Sequence, residues 1–138
     1  MKENNFINSA VKVMQIEGNA ILGLQDQIKE SFNDLCANIL ATKGKLILMG
    51  IGKSGHIAQK ISATLSSTGT PSFFIHPTEA AHGDLGMIDK KDAILILSNS
   101  GETKEIIEIL PALKRCAGSI FTLTNNADST FAKTGDIN

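Results

Sequence analysis

Tryptophan and tyrosine are absent from this 138-residue chain, and six phenylalanines are its only aromatic residues. The platforms on which proteins stack single-stranded bases are therefore largely missing. Charge of one sign is missing too: 13 Lys and Arg stand against 14 Asp and Glu, a formal net charge of −1. Such a balance lacks the basic field that draws a protein to a phosphate polymer, so nucleic acid is not expected as a partner. Cysteine is limited to Cys36 and Cys116. Two cysteines without metal-ligand spacing read as reduced, partly buried thiols. No apolar run is long enough to span a bilayer. The first ten residues, "MKENNFINSA", lack the apolar core of a signal peptide. Cytoplasm is the expected compartment, with no membrane partner.

What is present is enough for one modest domain: 42% of residues are apolar, which excludes a disordered chain. From Phe6 to Ile39 the apolar residues fall mainly at helical spacing. Gly18 and Gly23 weaken the middle, which predicts two helices or one bent one. Short apolar runs follow: "KLILM" (Lys45–Met49), "SFFIH" (Ser72–His76), "DAILILS" (Asp92–Ser98) and "SIFTLT" (Ser119–Thr124). Runs of this kind mark strands buried on both faces. Between them lie helical segments at about 54–65 and 102–115, the second kinked or divided by Pro111. Strands alternating with helices predict a parallel α/β sheet with right-handed crossovers, preceded by N-terminal helices. Gly135 reads as a helix C-cap and Asp136–Asn138 as the start of a further strand. The chain is therefore expected to be the front part of a longer domain.

Two loops carry the chemistry. The first is "GIGKSGHIAQK", Gly50 to Lys60. An ATP-binding P-loop needs a glycine five positions before Gly52, and that position is Ile47. Gly50, Gly52 and Gly55 do match G-x-G-x-x-G. That dinucleotide pattern also wants an acidic residue at the end of the next strand, where His76 and Pro77 stand instead. What remains is a strand, a tight turn and a helix N-terminus whose free amides suit an anion. The second loop, "SNSGETKEI" (Ser98–Ile106), also follows an apolar strand and opens a helix. Ser98, Asn99, Ser100 and Thr103 are four short polar side chains around one glycine. One N-cap needs only one such residue. Four suit a phosphate monoester, whose oxygens take several neutral donors. Both loops are expected at the carboxyl ends of parallel strands, where open α/β sheets bind ligands.

"SNSGET" after a strand resembles the phosphosugar loop of the sugar isomerase (SIS) domain. Together, "MGIGKSGHIAQK", "STGTPSFFIHPTEAAHGDLGM" and "ILSNSGETKEI" resemble the D-arabinose-5-phosphate isomerases, most closely from Lys43 to Lys114. The resemblance implies a flavodoxin-like sheet with helices on both faces and a homo-oligomer, dimer or tetramer. It implies interconversion of ribulose 5-phosphate and arabinose 5-phosphate, feeding Kdo and lipopolysaccharide synthesis. Members of that family continue with a further strand, a histidine in a "SHPGG" motif, another glutamate and usually two CBS modules. None of these stands in residues 1–138, which read as an incomplete SIS domain. A phosphosugar-binding sensor and a different phosphosugar isomerase are the alternatives.

Substrate-binding roles are expected for Gly52, Ser54, Ser98, Asn99, Ser100, Glu102 and Thr103. By resemblance Lys53 is catalytic or substrate-orienting; chemically it suits the negative oxygen of an enediolate. Glu102 in a first helical turn also favours the helix dipole. Glu105 stands one turn on, where the family places a catalytic glutamate. Glu108 is expected to pair with Lys104. His82 in "AHGDLG" is the stronger candidate acid among the histidines, and a divalent metal such as zinc could use it. His56 is expected to be structural or substrate-lining. No cofactor is otherwise required. The N-terminal helices and Ser66–Met87 are expected to form a subunit interface.

Overall fold

The computed structural model describes residues 5–138. Met1–Asn4, part of the segment read as lacking a signal peptide, lie outside the described residues. Two compact units divide the chain, Met1–Asn33 and Asp34–Asn138.

In the first unit, helix α1 spans Phe6–Gly23, and the Asn5 side chain caps it by accepting the Asn8 amide at 3.1 Å. Gly18 does not interrupt it; the break comes at Gly23, followed by a 3-10 turn at Gln25–Gln27. Helix α2 then runs Glu30–Ala41, with the unit boundary inside it. The N-terminal segment is therefore two helices. No residue of α1 is buried, although Phe6, Ile7, Met14, Ile21 and Leu22 are large and apolar.

The second unit is a four-stranded, wholly parallel sheet. Its strands are β1 (Leu46–Met49), β2 (Ser72–Phe74), β3 (Ala93–Leu97) and β4 (Ser119–Leu123), in the order β2-β1-β3-β4. That is the order of a flavodoxin-like sheet. Helix α3 (Lys53–Ser67) links β1 to β2, and helix α5 (Lys104–Cys116) links β3 to β4. Short helices α4 (Pro77–Ala81) and α6 (Thr130–Thr134) complete the unit.

Alternation along each strand sorts the core into two layers. Ile47, Met49, Ile94, Ile96 and Ile120 meet Ile106, Ile109, Leu110 and Leu113 of α5. Leu46, Leu48, Leu95, Leu97 and Phe121 meet Ala58, Ile61 and Leu65 of α3, with Leu35 and Ile39 of α2. The two crossover helices thus cover opposite faces, which is why these strands read as unbroken apolar runs. Each fully buried aliphatic side chain contributes about 1.5–3 kcal/mol. At the amino end of the sheet, buried Asp92 accepts the amides of Lys45 and Asp89, each at 2.8 Å.

Of the two expected outcomes, division does not occur: α5 runs unbroken through Pro111. The proline lies on an exposed position, so the Ile107 carbonyl it leaves unpaired can be met by water. The strand expected at Ser72–His76 stops at Phe74; His76 instead caps α4, its Nδ1 accepting the Thr78 amide at 3.2 Å. Gly135 ends α6 at the expected position but in an extended conformation. Beyond it the chain joins the outer edge of β4 through a parallel bridge between Phe121 and Ile137. The Asp136 amide donates to the Ile120 carbonyl, and the Thr122 amide to the Ile137 carbonyl.

Candidate functional site

Strands β1 and β3 are neighbours, paired in register from Leu46↔Ala93 to Met49↔Ile96. From β1 the chain crosses to β2 on one side; from β3 it crosses to β4 on the other. The loops leaving β1 and β3 therefore part at the topological switch point, about 4.8 Å apart at the strand ends.

The first loop brings α3 directly against the strand end. A Cβ on Gly55 would come within 2.8 Å of the Gly50 carbonyl oxygen, and one on Gly50 within 2.9 Å of Ser54 backbone. Gly52, the N-cap of α3, has φ 58° and ψ −128°, a conformation that side-chain-bearing residues avoid. It caps with no side chain, so the first-turn amides of a 15-residue helix stay open to an anion. Lys53, the first residue of that turn, is exposed, and Ser54 is half-buried beside it. His56 stands exposed in the same turn.

The second loop is braced from within. Ser98 is buried; its Oγ accepts the Gly101 amide at 3.1 Å and lies 2.7 Å from the Thr103 hydroxyl. Ser100 Oγ lies 3.5 Å from Ser98 Oγ and accepts the Glu102 amide at 3.2 Å. Thr103 is the N-cap of α5, but its hydroxyl is engaged with Ser98 and makes no cap bond. The first turn of α5 is thus the second helix start without a side-chain cap. Asn99 and Ser100 are exposed at its mouth. Of the four short polar side chains read from the sequence, Ser98 faces inward and shapes the loop.

The carboxylates sort differently from expectation. Glu105, not Glu102, lies in the first turn of α5, where the helix dipole favours a negative charge. Glu102 precedes the N-cap, and its Oε1 accepts the amide of Thr130, the first residue of α6, at 2.6 Å. That backbone bond and then the Thr130 side chain hold the Glu102 carboxyl below the ordinary glutamate range; desolvation opposes them, and the charge of Lys133 adds a lesser lowering. No local pattern could reveal this, because β4 separates the two residues in sequence. Ser129, in the stretch "DSTFAK", did carry a visible signal as a helix N-cap; its Oγ accepts the Ala132 amide. Glu108 and Lys104 form no ion pair among the described residues, whose ion pair is the exposed Lys133–Asp128 contact at 3.9 Å.

His82 is exposed and closes α4; α4 and the 3-10 turn Asp84–Met87 pack against α5. Among the described residues no group of three His, Cys, Asp or Glu side chains could hold a metal ion. Three cavities, the largest about 400 Å³ and lined by Lys43, Lys91 and Asp92, lie at the amino ends of the strands. They hold no helix N-terminus; the two candidate loops leave the opposite ends of the strands.

Comparison with known proteins identifies the family. Residues 39–138 match the SIS domain. The arabinose 5-phosphate isomerase KdsD of Pseudomonas aeruginosa is 48% identical over 139 residues, covering 100% of this chain and 43% of that protein. The arabinose 5-phosphate isomerase KdsD of Yersinia pestis is 47% identical over 133 residues, covering 96% of this chain and 40% of that protein. The chain thus spans well under half the length of these relatives. The structure of the E. coli CFT073 protein c3406 in complex with arabinose 5-phosphate superposes with a TM-score of 0.91 at 41% identity, covering 99% of this chain and 73% of that one. With its parallel sheet, its paired strand-end loops and this match over most of its length, the chain belongs to the SIS domain family.

Proposed function

We propose that this chain forms the phosphosugar site of an aldose–ketose isomerase that interconverts D-ribulose 5-phosphate and D-arabinose 5-phosphate. The observation that carries the reading is the pair of uncapped helix N-termini, α3 and α5, at the switch point of the sheet. The relatives named arabinose 5-phosphate isomerase support the choice of sugar.

In this reading the phosphate sits on the amides of Ser54 and of the α5 start, with Ser100 and Asn99 at its rim. Isomerisation removes the proton from the carbon beside the aldehyde, forms an enediolate, and returns a proton to the neighbouring carbon. Lys53 steadies the enediolate oxygen. Glu105, or a carboxylate beyond residue 138, carries the proton, and His82 serves as the acid that opens the sugar ring. One carbon of the substrate is oxidised as its neighbour is reduced, so no external hydride carrier is needed. The family's product feeds synthesis of the Kdo sugar of lipopolysaccharide, and a phosphorylated substrate fits a cytoplasmic location.

A second copy of the chain is proposed to cover α1, whose Phe6, Ile7 and Met14 stand exposed. Several large exposed apolar side chains on one helix suit burial against a second copy. Sedimentation of a clean monomer at micromolar concentration would contradict it.

Calorimetric titration with arabinose 5-phosphate and with NAD tests the site. Binding of the sugar phosphate alone is expected; binding of NAD alone would overturn the reading.

A further inference from the structure

We propose that Glu102 is a positioning residue, whose carboxylate latches the Ser98–Thr103 loop to the start of α6 without touching the sugar phosphate. The inference rests on the phosphosugar reading of that loop.

Three hydrogen bonds run side by side from the loop to the segment after β4. The Asn99 carbonyl accepts the Asn125 amide at 3.1 Å, and the Gly101 carbonyl accepts the Phe131 amide at 3.1 Å. The Glu102 carboxylate accepts the Thr130 amide at 2.6 Å. Gly101 has φ 67° and lies so close to Ser129 that a Cβ there would overlap the Ser129 side chain. Ser129 and Phe131 are themselves buried, with Phe131 in the core layer beside α5. Ser129 and Phe131 therefore anchor the start of α6 as a back wall, and the loop is moored to it.

Two of the three moorings are main-chain bonds that any residue could make. Glu102 supplies the side-chain one. The internal bonds of the loop, Ser98 to Gly101 and Ser100 to Glu102, set its shape but not its position relative to α6. Position matters because the amides must converge on one anion, and a misplaced donor loses most of its value. A free carboxylate beside a phosphate would also repel it. Held on the Thr130 amide, the Glu102 charge is directed to the α6 start, where the helix dipole favours it.

Thr130 is the first residue of α6, a position that tolerates proline. Ser129 already has φ −67° and ψ 162°, the extended conformation a following proline demands. Thr130→Pro therefore removes the donor that Glu102 uses, while Thr130→Ala keeps it. Affinity for arabinose 5-phosphate is read by calorimetry. Glu102→Ala and Thr130→Pro are each expected to weaken binding about two- to tenfold, the range for a charged but solvent-screened hydrogen bond. The double variant should be no weaker than either single one. Glu102→Gln, which keeps an acceptor oxygen, should restore most of the affinity. Full affinity in Thr130→Pro alongside weakened Glu102→Ala, or multiplicative losses in the double variant, would overturn the latch in favour of direct substrate contact. Unchanged affinity in Glu102→Ala would overturn it as well. A wild-type chain that binds no sugar phosphate refutes the functional reading instead. The latch is then read by hydrogen exchange at the Thr130 amide: faster exchange in Glu102→Ala supports it, and unchanged exchange overturns it.

Discussion

The hydroxyls of Ser98 and Thr103 lie 2.7 Å apart and join the last residue of the β3 run to the N-cap of α5. Ser98 Oγ also accepts the Gly101 amide, so one buried atom holds both ends of the turn. Ser98→Ala leaves that amide and the Thr103 hydroxyl without their partner. A loss of about 1–3 kcal/mol in unfolding free energy is expected, the cost of an unsatisfied buried group. The urea midpoint should fall with no change in slope.

Two glycines separate strain from crowding. Gly52 has φ 58° with open space around it, whereas Gly101 has φ 67° and faces Ser129. Gly52→Ala should cost about 1–3 kcal/mol from backbone strain alone. Gly101→Ala adds a steric overlap and should destabilise more, while also weakening sugar-phosphate binding. Denaturant unfolding of the two variants checks the order; equal losses would show that the back wall yields.

Glu102 should titrate below the ordinary glutamate value, because the Thr130 amide favours its charged form, with Lys133 adding to the effect. A carboxyl whose folded pKa is lowered contributes stability that is complete above its ordinary pKa and is lost as pH falls through the folded one. The Thr130 amide shift should therefore move only at acid pH. In Glu102→Gln that movement should vanish, as followed by amide NMR across an acid titration.

Lys53 and Glu105 stand in the first turns of α3 and α5. If the proposed isomerase activity holds, Lys53→Ala should lower turnover about 10²–10³-fold with substrate binding largely kept, as when an electrostatic stabiliser is lost. Glu105→Gln should lower it about 10²–10⁴-fold if this carboxylate moves the proton. Steady-state isomerisation, together with solvent deuterium uptake beside the carbonyl, measures both. Near-wild-type rates in both variants would remove these residues from the mechanism.

The apolar runs at Lys45–Met49, Asp92–Ser98 and Ser119–Thr124 were legible as strands because a strand covered on both faces has no polar side to show. The two loops were legible as strand-to-helix turns because glycine and short hydroxyl residues there are local turn and cap signals. Sequence alone determined that much. It left open whether Pro111 kinks or divides its helix, and α5 runs through it undivided. It read Glu102 as serving α5, when the carboxylate serves α6, 28 residues away. Burial turns the Ser98 hydroxyl inward, against Thr103 and the Gly101 amide, which its own segment does not show. Only the tertiary structure decided these points. Strand order sets which loops meet, and order is fixed by contacts between residues far apart in the chain. A side chain's neighbours across a sheet leave no trace in the spacing of its own segment.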